Sequence, residues 1–439
     1  MSTPVTAPRR TLPEGARRGW CPSLAKPMPT GDGLLARIHP PLGGLSPAQL
    51  RAVADGARRH GNGHIDVTAR GNLQIRGVSA TSASPLACLL AEAGLGDTRD
   101  DGGPQRLTLT PPLAGLDPGE GIDVPALAGA VEAAGLAVPG LPPKTLVAID
   151  GGGRFGLGAV EADVFLFTEG RGRVVFGLAG EEGPLRCGVL PERQAAGALG
   201  LALAAFAGTG RRRMRDCDAS ERALIAAAAG FLPCAAAPLA PAPAPAAPGL
   251  VTLSGHASAL LVEAPFGRCT ADRLERVAAL AGEAGVRLSA ERGFVLPLPP
   301  GRLDAVRGEL AAAGFIVAPD DPRRSVAACP GAPACRSGST PVPDHAARLA
   351  QALAPLASHG LSVHVSGCAK GCAHPGPADL TLVAREGAYD VVLAGPPSAE
   401  PATRLAFEAA LDRIRKAAAT GLPATDRLFL NRMFQDNAR

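Results

Sequence analysis

The chain has 439 residues, of which 46% are hydrophobic and only 3% aromatic, and its formal net charge is +4 at pH 7. This length allows roughly two to four domains, and so small and dispersed a charge argues against a nucleic-acid partner. No apolar run reaches the roughly 20 residues of a membrane span, and ten cysteines without a secretory signal predict a cytoplasmic protein with no membrane partner.

The first part of the chain predicts a small α+β unit. Residues 1–17 are rich in Pro and Arg and are predicted to be disordered. Ser46 is predicted to be the N-cap of a helix, with Pro47 at its first position. The predicted elements that follow the disordered segment are a strand over 34–38, a helix over 46–60, and a strand pair over 64–68 and 72–76.

The same order of elements recurs far downstream. The repeated elements are a strand over 258–263, a helix over 270–284 capped by Thr270, and strands over 286–289 and 293–296. Arg292-Gly293 falls where Arg70-Gly71 lies in the first copy. The pattern indicates an internal duplication, with ferredoxin-like half-domains at 18–80 and 250–317.

Composition divides the chain between the two copies. A Pro/Ala tract over 234–249 is typical of a semi-rigid, extended linker. Each half-domain is followed by enough sequence for a larger α+β domain, predicted at 98–233 and 320–439. The predicted fold class is therefore α+β with pseudo-two-fold symmetry.

Two cysteine pairs near the C-terminus carry the strongest chemical signal. Cys329 and Cys335 form C-x5-C, and Cys368 and Cys372 form C-x3-C. Four thiolates can hold a 4Fe-4S cluster. Structural zinc matches these spacings poorly, two disulfides would need an oxidising compartment, and the remaining alternative is four unrelated buried cysteines. The six other cysteines are predicted to be small core residues; they are Cys21, Cys88, Cys187, Cys217, Cys234 and Cys269.

The phrase from His364 to His374, His-Val-Ser-Gly-Cys-Ala-Lys-Gly-Cys-Ala-His, resembles the cluster motif of the sulfite/nitrite reductase superfamily. The resemblance covers nearly the whole chain from Gly19 onward. It implies two pseudo-symmetric halves that clasp a tetrapyrrole, with the 4Fe-4S cluster in the second larger domain. In the reductases of this superfamily the last cysteine, here Cys372, also bridges the cluster to a sirohaem iron.

The resemblance also implies a ring of basic residues around a bound anion. Arg70 matches the arginine of the first strand pair, and Arg106 precedes a Pro-Leu-Ala-Gly turn as in the superfamily. Lys144 matches a third position, but Leu146 stands where the reductases have a second lysine. Removing one cation from a desolvated anion site costs several kcal/mol. This departure argues against sulfite reduction.

Three phrases resemble instead the precorrin-3B synthase branch of the superfamily. They are the opening from Gly19 to Leu35, Leu141-Pro-Pro-Lys144, and Asp321-Pro-Arg-Arg324. This branch implies an O2-dependent monooxygenase that hydroxylates precorrin-3A at a meso carbon and forms a γ-lactone ahead of ring contraction in aerobic cobalamin biosynthesis. The alternatives are a sirohaem-dependent assimilatory nitrite or sulfite reductase and a non-catalytic electron carrier.

A tetrapyrrole rich in carboxylates needs cations to hold it, and the planar guanidinium group binds carboxylates bidentately. The predicted substrate-binding residues are Arg37, Arg70, Arg76, Arg106, Lys144 and Arg292. The basic run from Arg211 to Arg215 either adds to this set or forms a solvated face.

The branch further implies a mononuclear non-haem iron and an external source of electrons. Two His and one carboxylate are the usual ligands of such an iron, and His364 and His374 are candidates ahead of His39 and His64. The run Gly151–Gly156 matches G-x-G-x-x-G, but a strand rather than a helix is predicted to follow. We therefore expect a hairpin turn there, with NADH reducing a separate electron-donating reductase.

Overall fold

The structure is a computed structural model, which describes residues 20–157, 160–232, 246–254, 257–419 and 434. The predicted disordered N-terminus and the linker up to residue 245 lie outside these residues. No helix in the described ranges is long and apolar enough to cross a membrane.

The first ferredoxin-like unit contains the predicted strands and helix. Ser46 accepts a hydrogen bond from the N–H of Gln49, whose side chain accepts one from the N–H of Ser46, so the helix begins with a capping box. The elements are β1 (Met28–Thr30), β2 (Gly33–Ile38), β3 (Gly44–Leu45), α1 (Pro47–His60), β4 (His64–Val67), β5 (Leu73–Val78) and α2 (Ala83–Glu92).

The first larger unit follows. Its elements are β6 (Thr108–Leu109), α3 (Val124–Leu136), β7 (Val147–Asp150), β8 (Val164–Thr168), β9 (Arg173–Ala179), β10 (Pro184–Pro191), α4 (Glu192–Gly208) and α5 (Ala219–Ala228). Strands β6, β7 and β8 are parallel, and β9 and β10 continue the sheet in antiparallel fashion.

The parallel pairing of β7 and β8 corrects the prediction of a hairpin at Gly151–Gly156, because a hairpin joins antiparallel strands. No helix opens in the described residues of this connection. A Cβ at Gly151 would lie 2.9 Å from Cγ of Glu120, and one at Gly153 would lie 2.9 Å from Oδ2 of Asp117. These glycines therefore allow close packing against a neighbouring loop.

The second ferredoxin-like unit repeats the first. Its elements are β11 (Gly249–Ser254), β12 (Ala257–Glu263), β13 (Arg268–Thr270), α6 (Ala271–Leu280), β14 (Val286–Ser289), β15 (Gly293–Leu298) and α7 (Leu303–Ala312). Thr270 caps α6 as predicted, but the helix ends at Leu280 and not at residue 284. Ala281 has an extended backbone conformation, and the two glycines that follow it, Gly282 and Gly285, favour a turn.

The second larger unit repeats the topology of the first. Its elements are β16 (Val326–Ala328), α8 (Val342–Leu353), β17 (Val363–Ser366), β18 (Ala378–Arg385), β19 (Ala388–Gly395), β20 (Thr403–Leu405) and α9 (Phe407–Ala419). Strands β16, β17 and β18 are parallel, and β19 and β20 are antiparallel additions. The duplication therefore extends to the larger units.

Within the described residues the strands form four five-stranded sheets, and the two ferredoxin-like sheets exchange a strand. Strand β13 of the second half pairs with β4 of the first, and β3 of the first half pairs with β14 of the second. Helices α1, α2, α6 and α7 cover both sheets around one hydrophobic core. The two ferredoxin-like units thus fold as one body.

The six cysteines outside the two pairs do not share one environment. Cys217 and Cys269 are buried as predicted, and Cys21 is half-buried. Cys88 is exposed, and Cys187 is disulfide-bonded, so neither is a free core thiol. Cys234 lies outside the described residues.

Candidate functional site

The two cysteine loops meet because their strands are parallel neighbours. Cys329 directly follows β16, and Cys368 lies just beyond β17. Parallel pairing places the carboxyl ends of both strands at one edge of the sheet. The sheet topology therefore brings together two motifs that are widely separated in the sequence.

The four thiols lie close enough to affect one another electrostatically. Burial raises the pKa of Cys372 to about 11, and the charges of the other three cysteines add to the effect. Burial also raises the pKa of Cys329, and hydrogen bonds from the backbone N–H groups of Gly367 and Gly331 partly offset this rise. The N–H of Gly367 donates to Sγ of Cys329 over 3.1 Å. A metal bound here would displace the thiol protons.

Glycine makes the close approach of the two loops possible. A Cβ at Gly367 would lie 3.2 Å from Cα of Gly338 and 3.3 Å from Sγ of Cys329. Gly331 has a φ of +61°, and a Cβ there would lie 2.6 Å from the backbone N of Val342. Backbone N–H groups can therefore reach the sulfur atoms, and such hydrogen bonds tune the potential of iron–sulfur sites.

The four cysteines are not grouped as the ligands of one metal ion. In the ranges that the structure describes, no three His, Cys, Asp or Glu side chains are grouped to hold one metal ion. A four-iron cluster takes its thiolates at separate irons. Its four cysteines therefore need not converge on a point.

Arg76, predicted to bind substrate, is instead held by protein groups. Its guanidinium pairs with Asp32 over 2.9 Å and with Asp66 over 3.1 Å, and only 3% of its side chain is exposed. Its Nη2 also donates to the backbone carbonyl of Ala334, next to Cys335. These ion pairs and the bond to Ala334 engage most of the guanidinium donors that a substrate carboxylate would need.

Arg106 also binds protein groups. Its Nη1 donates to the carbonyl oxygens of Pro40 over 3.0 Å and Gly71 over 2.9 Å, and its Nη2 donates to that of Arg70. Burial lowers its pKa to about 10. Arg106 thus holds the turn that carries Arg70.

Arg292 occupies the equivalent turn of the second half. Its φ is +62°, in the left-handed region that non-glycine residues adopt at a cost. Its Nη2 donates to the carbonyl of Ala373 over 2.8 Å, beside Cys372. Of the predicted substrate-binding residues, Arg76 and Arg292 contact the two cysteine loops.

Arg37, Arg70 and Lys144 lie together on the first half. Arg37 donates to Oε1 of Gln74 over 2.9 Å, and Arg70 donates to the carbonyl of Lys144 over 3.4 Å. Burial lowers the pKa of Arg37. The charge of Arg70 lowers it further, whereas Cys21 acts to raise it. We call these three residues the arginine group; Arg37 and Arg70 are its neighbouring cations, and Lys144 joins them through its backbone carbonyl.

Sequence reasoning missed several residues around the arginine group. Cys21 contacts Arg37, although it has no second cysteine nearby in the sequence that would mark it as a functional residue. Arg213, from the basic run, pairs with the buried Asp163 over 3.0 Å. Burial lowers the pKa of Arg70, and the positive charge of Arg213 lowers it further. The basic run is therefore partly buried. The spacing of its arginines did not indicate this, because the partner Asp163 lies elsewhere in the chain.

Two histidines lie beside the cysteine loops. His364 is 0% exposed, and neither of its ring nitrogens has a hydrogen-bond partner among the described residues. Its ring centroid is 5.9 Å from that of His374. Burial lowers the pKa of His364 to about 4, with added effects of His374 and Arg292. His39 lies instead near Arg37 and Arg106.

Comparison with known proteins agrees with this architecture. The family model of the nitrite/sulfite reductase ferredoxin-like half domain matches residues 26–93. A precorrin-3B synthase from Sinorhizobium is 38% identical over 408 residues, covering 89% of this chain and 86% of that protein. A ferredoxin–nitrite reductase from Synechococcus elongatus is 26% identical over 416 residues, covering 84% and 79%.

Among solved structures, NirA of Mycobacterium tuberculosis shares the fold. Its TM-score is 0.67 at 20% sequence identity, over 92% of this chain and 83% of that chain. The likeness agrees with the duplicated sheets described above. With the high identity to the Sinorhizobium enzyme over nearly its full length, these findings show that the chain belongs to the precorrin-3B synthase family, a branch of the sulfite/nitrite reductase superfamily.

Proposed function

We propose that this protein is an oxidoreductase that converts precorrin-3A to precorrin-3B, as an O2-dependent monooxygenase that hydroxylates a meso carbon and forms a γ-lactone. The observation that carries the proposal is the 38% identity to a precorrin-3B synthase over 89% of the chain. Leu146, which stands where the reductases have a second lysine, is buried in the hydrophobic core of the first larger unit and supplies no cation for a small anion.

The arginine group is the proposed contact for substrate carboxylates. Arg37 and Arg70 are half-buried and Lys144 is exposed, so all three retain surface at which a ligand can bind. Guanidinium groups in a partly desolvated site bind carboxylates more strongly than in water. Arg106 would act by holding the turn of Arg70 in place.

The four paired cysteines are the proposed ligands of a 4Fe-4S cluster, which when bound would relay electrons singly. The N–H of Gly367 already donates to Sγ of Cys329. Such donors stabilise the thiolate form and the negative charge of a bound cluster.

The mononuclear iron of the proposal finds only part of its usual ligand set. His364 and His374 offer two neighbouring imidazoles, and His364 is buried with both nitrogens unpartnered. No carboxylate completes a group of three with them in the described part of the chain. The two-His, one-carboxylate arrangement is therefore not assembled in these residues.

Electrons are proposed to come from NADH through a separate reductase. The glycine run at 151–156 joins parallel strands without opening a helix in its described residues, unlike a dinucleotide-binding turn. A cavity of about 270 Å³ adjoins Cys368 and is lined by Arg385, Asp390 and Pro397 among others. The proposed location of the reaction is the cytoplasm.

The decisive experiment is anaerobic purification followed by absorption spectroscopy and iron and sulfide analysis. The proposal expects broad visible absorption without an intense Soret band, and iron and sulfide in equal amounts, about four of each per chain. Incubation with precorrin-3A, O2 and reductant should then yield a product heavier by an oxygen atom. An intense Soret band would instead identify a sirohaem-dependent nitrite or sulfite reductase.

A further inference from the structure

We propose that Arg76 and Arg292 are positioning residues that hold the two cysteine loops, one from each ferredoxin-like half, so that docking of both halves fixes the four thiols for a cluster. This inference rests on the proposed 4Fe-4S site. It removes both arginines from the proposed contacts of the substrate.

The first contact joins the first ferredoxin-like sheet to the loop of Cys335. The carbonyl of Ala334, directly before this cysteine, accepts hydrogen bonds from Nη2 of Arg76 and from the N–H of Gly31 over 3.1 Å. A Cβ at Gly31 would lie 2.1 Å from the carbonyl oxygen of Pro333. The loop therefore rests directly on backbone of the first half.

Buried carboxylates fix the guanidinium of Arg76. Asp32 and Asp66 bind it from two sides, and Asp66 also accepts from Nε of Arg268 over 2.7 Å. Arg268 lies in β13, the strand that the second half contributes to this sheet. The contact at Ala334 is thus tied to the strand exchange, and the side chain has little freedom to move away.

The second contact joins the second half to the loop of Cys372. The carbonyl of Ala373, directly after this cysteine, accepts from Nη2 of Arg292 over 2.8 Å. Arg292 reaches it past Gly267, where a Cβ would lie 2.8 Å from Cδ of Arg292. The φ of +62° at Arg292 shows that the surrounding structure holds the residue in an unfavourable conformation.

The two contacts share one physical logic. Each arginine binds the peptide carbonyl adjacent to a proposed ligand, so each restricts the position of one cysteine from outside the domain that carries it. A cluster needs its thiolates preplaced, and loss of groups that orient metal ligands typically lowers metal affinity about 10- to 100-fold. The arrangement predicts that cluster retention depends on both halves.

The test compares the full-length variants Arg76→Met and Arg292→Met with wild type after anaerobic purification and reconstitution. We expect both to lose iron to a ferrous chelator about tenfold faster or more than wild type. The EPR spectrum of the cluster that remains in each reduced variant should also change. Arg58→Met is the control, because Arg58 is an exposed arginine that also joins the two halves, through Asp272 and Glu275, and makes no described hydrogen bond to either loop; its iron loss should match wild type.

Two further variants keep the test decisive where Arg76→Met or Arg292→Met does not fold. Gly31→Ala and Gly267→Ala retain both arginines but introduce a Cβ at each contact, and they should accelerate iron loss likewise. Wild-type rates and spectra in the folded variants would overturn the inference alone. A wild-type protein that takes up no cluster would overturn the cluster proposal itself, so the two failures are distinguishable.

Discussion

At the residue scale, arginines that look alike in the sequence have different roles. Arg70 is half-buried in the arginine group, whereas Arg76 is held by two aspartates and Arg106 by three backbone carbonyls. Sequence position predicts that a cation lies near a turn. It does not predict which acceptors lie around the guanidinium, because these come from other strands and loops that only the fold brings together.

Arg70→Met tests the arginine group. Hydrogen bonds to charged groups contribute about 1.5 to 3 kcal/mol, so the affinity for precorrin-3A should fall about 10- to 100-fold. Anaerobic titration followed by absorbance measures this affinity. The iron and sulfide content should stay at the wild-type level, because Arg70 contacts neither cysteine loop in the hydrogen bonds described. Arg58→Met, at an exposed ion pair, serves as the control and should leave the affinity unchanged. Equal affinities for Arg70→Met and wild type would contradict the assignment.

Glu120 predicts a pH dependence of stability. Burial raises its pKa from 4.5 to about 7, although the N–H of Gly115 acts against the shift. The folded protein thus binds this proton more tightly than the unfolded chain does, so the contribution of Glu120 to stability falls as the pH rises from about 4.5 to about 7.

Glu120→Gln removes the titration and should keep an acceptor for Gly115. Urea unfolding at pH 5 and pH 8 should show the variant gaining stability over wild type at the higher pH. A stability difference that is the same at both pH values would show that Glu120 does not titrate in this way.

At the element scale, local sequence signals predicted where helices begin, whereas the sheet topology determines where the cysteine loops lie. Ser46 and Thr270 cap equivalent helices, and both caps were predicted from residue type. The meeting of the cysteine loops follows instead from the parallel pairing of β16 and β17. The prediction of a hairpin after β7 was wrong. Glycines occur in turns and also where two backbones pack closely, and the local sequence does not distinguish these two cases.

Ser46→Ala should lower the free energy of unfolding by about 1 kcal/mol, because it removes the acceptor for the N–H of Gln49. Thr270→Ala should have a similar effect, since its hydroxyl caps α6 in the same manner. Denaturant unfolding measures both. Ser220→Ala, an exposed position in the first turn of α5, should change stability by less than about 0.5 kcal/mol. A similar loss in this control would argue against a specific capping effect.

At the scale of the whole molecule, the exchange of β3 and β13 makes the two halves interdependent. Each strand completes a sheet of the other half, and residues of both halves share one core. Separation would expose sheet edges and apolar surface. The cysteine loops belong to one larger unit but contact both ferredoxin-like units.

Cleavage between the halves tests this interdependence. A protease site inserted between residues 232 and 246 would allow the chain to be cut after folding. The two fragments should co-elute in gel filtration and separate only in denaturant, because the exchanged strands remain paired. Either fragment expressed alone should fail to give a folded monomer. Free exchange of native, folded fragments would contradict the shared core.

The sequence by itself determined the duplication, the paired strands and caps of both ferredoxin-like units, and the cysteine motifs, because each depends on nearby residues and regular spacing. It also carried the resemblance that the Sinorhizobium relative bears out. Only the tertiary structure decided the strand exchange and the burial of Arg76 between Asp32 and Asp66, since these contacts depend on how separate strands and loops lie beside one another. The same holds for the carbonyl contacts of Arg292 and Arg106, whose partners lie on other elements.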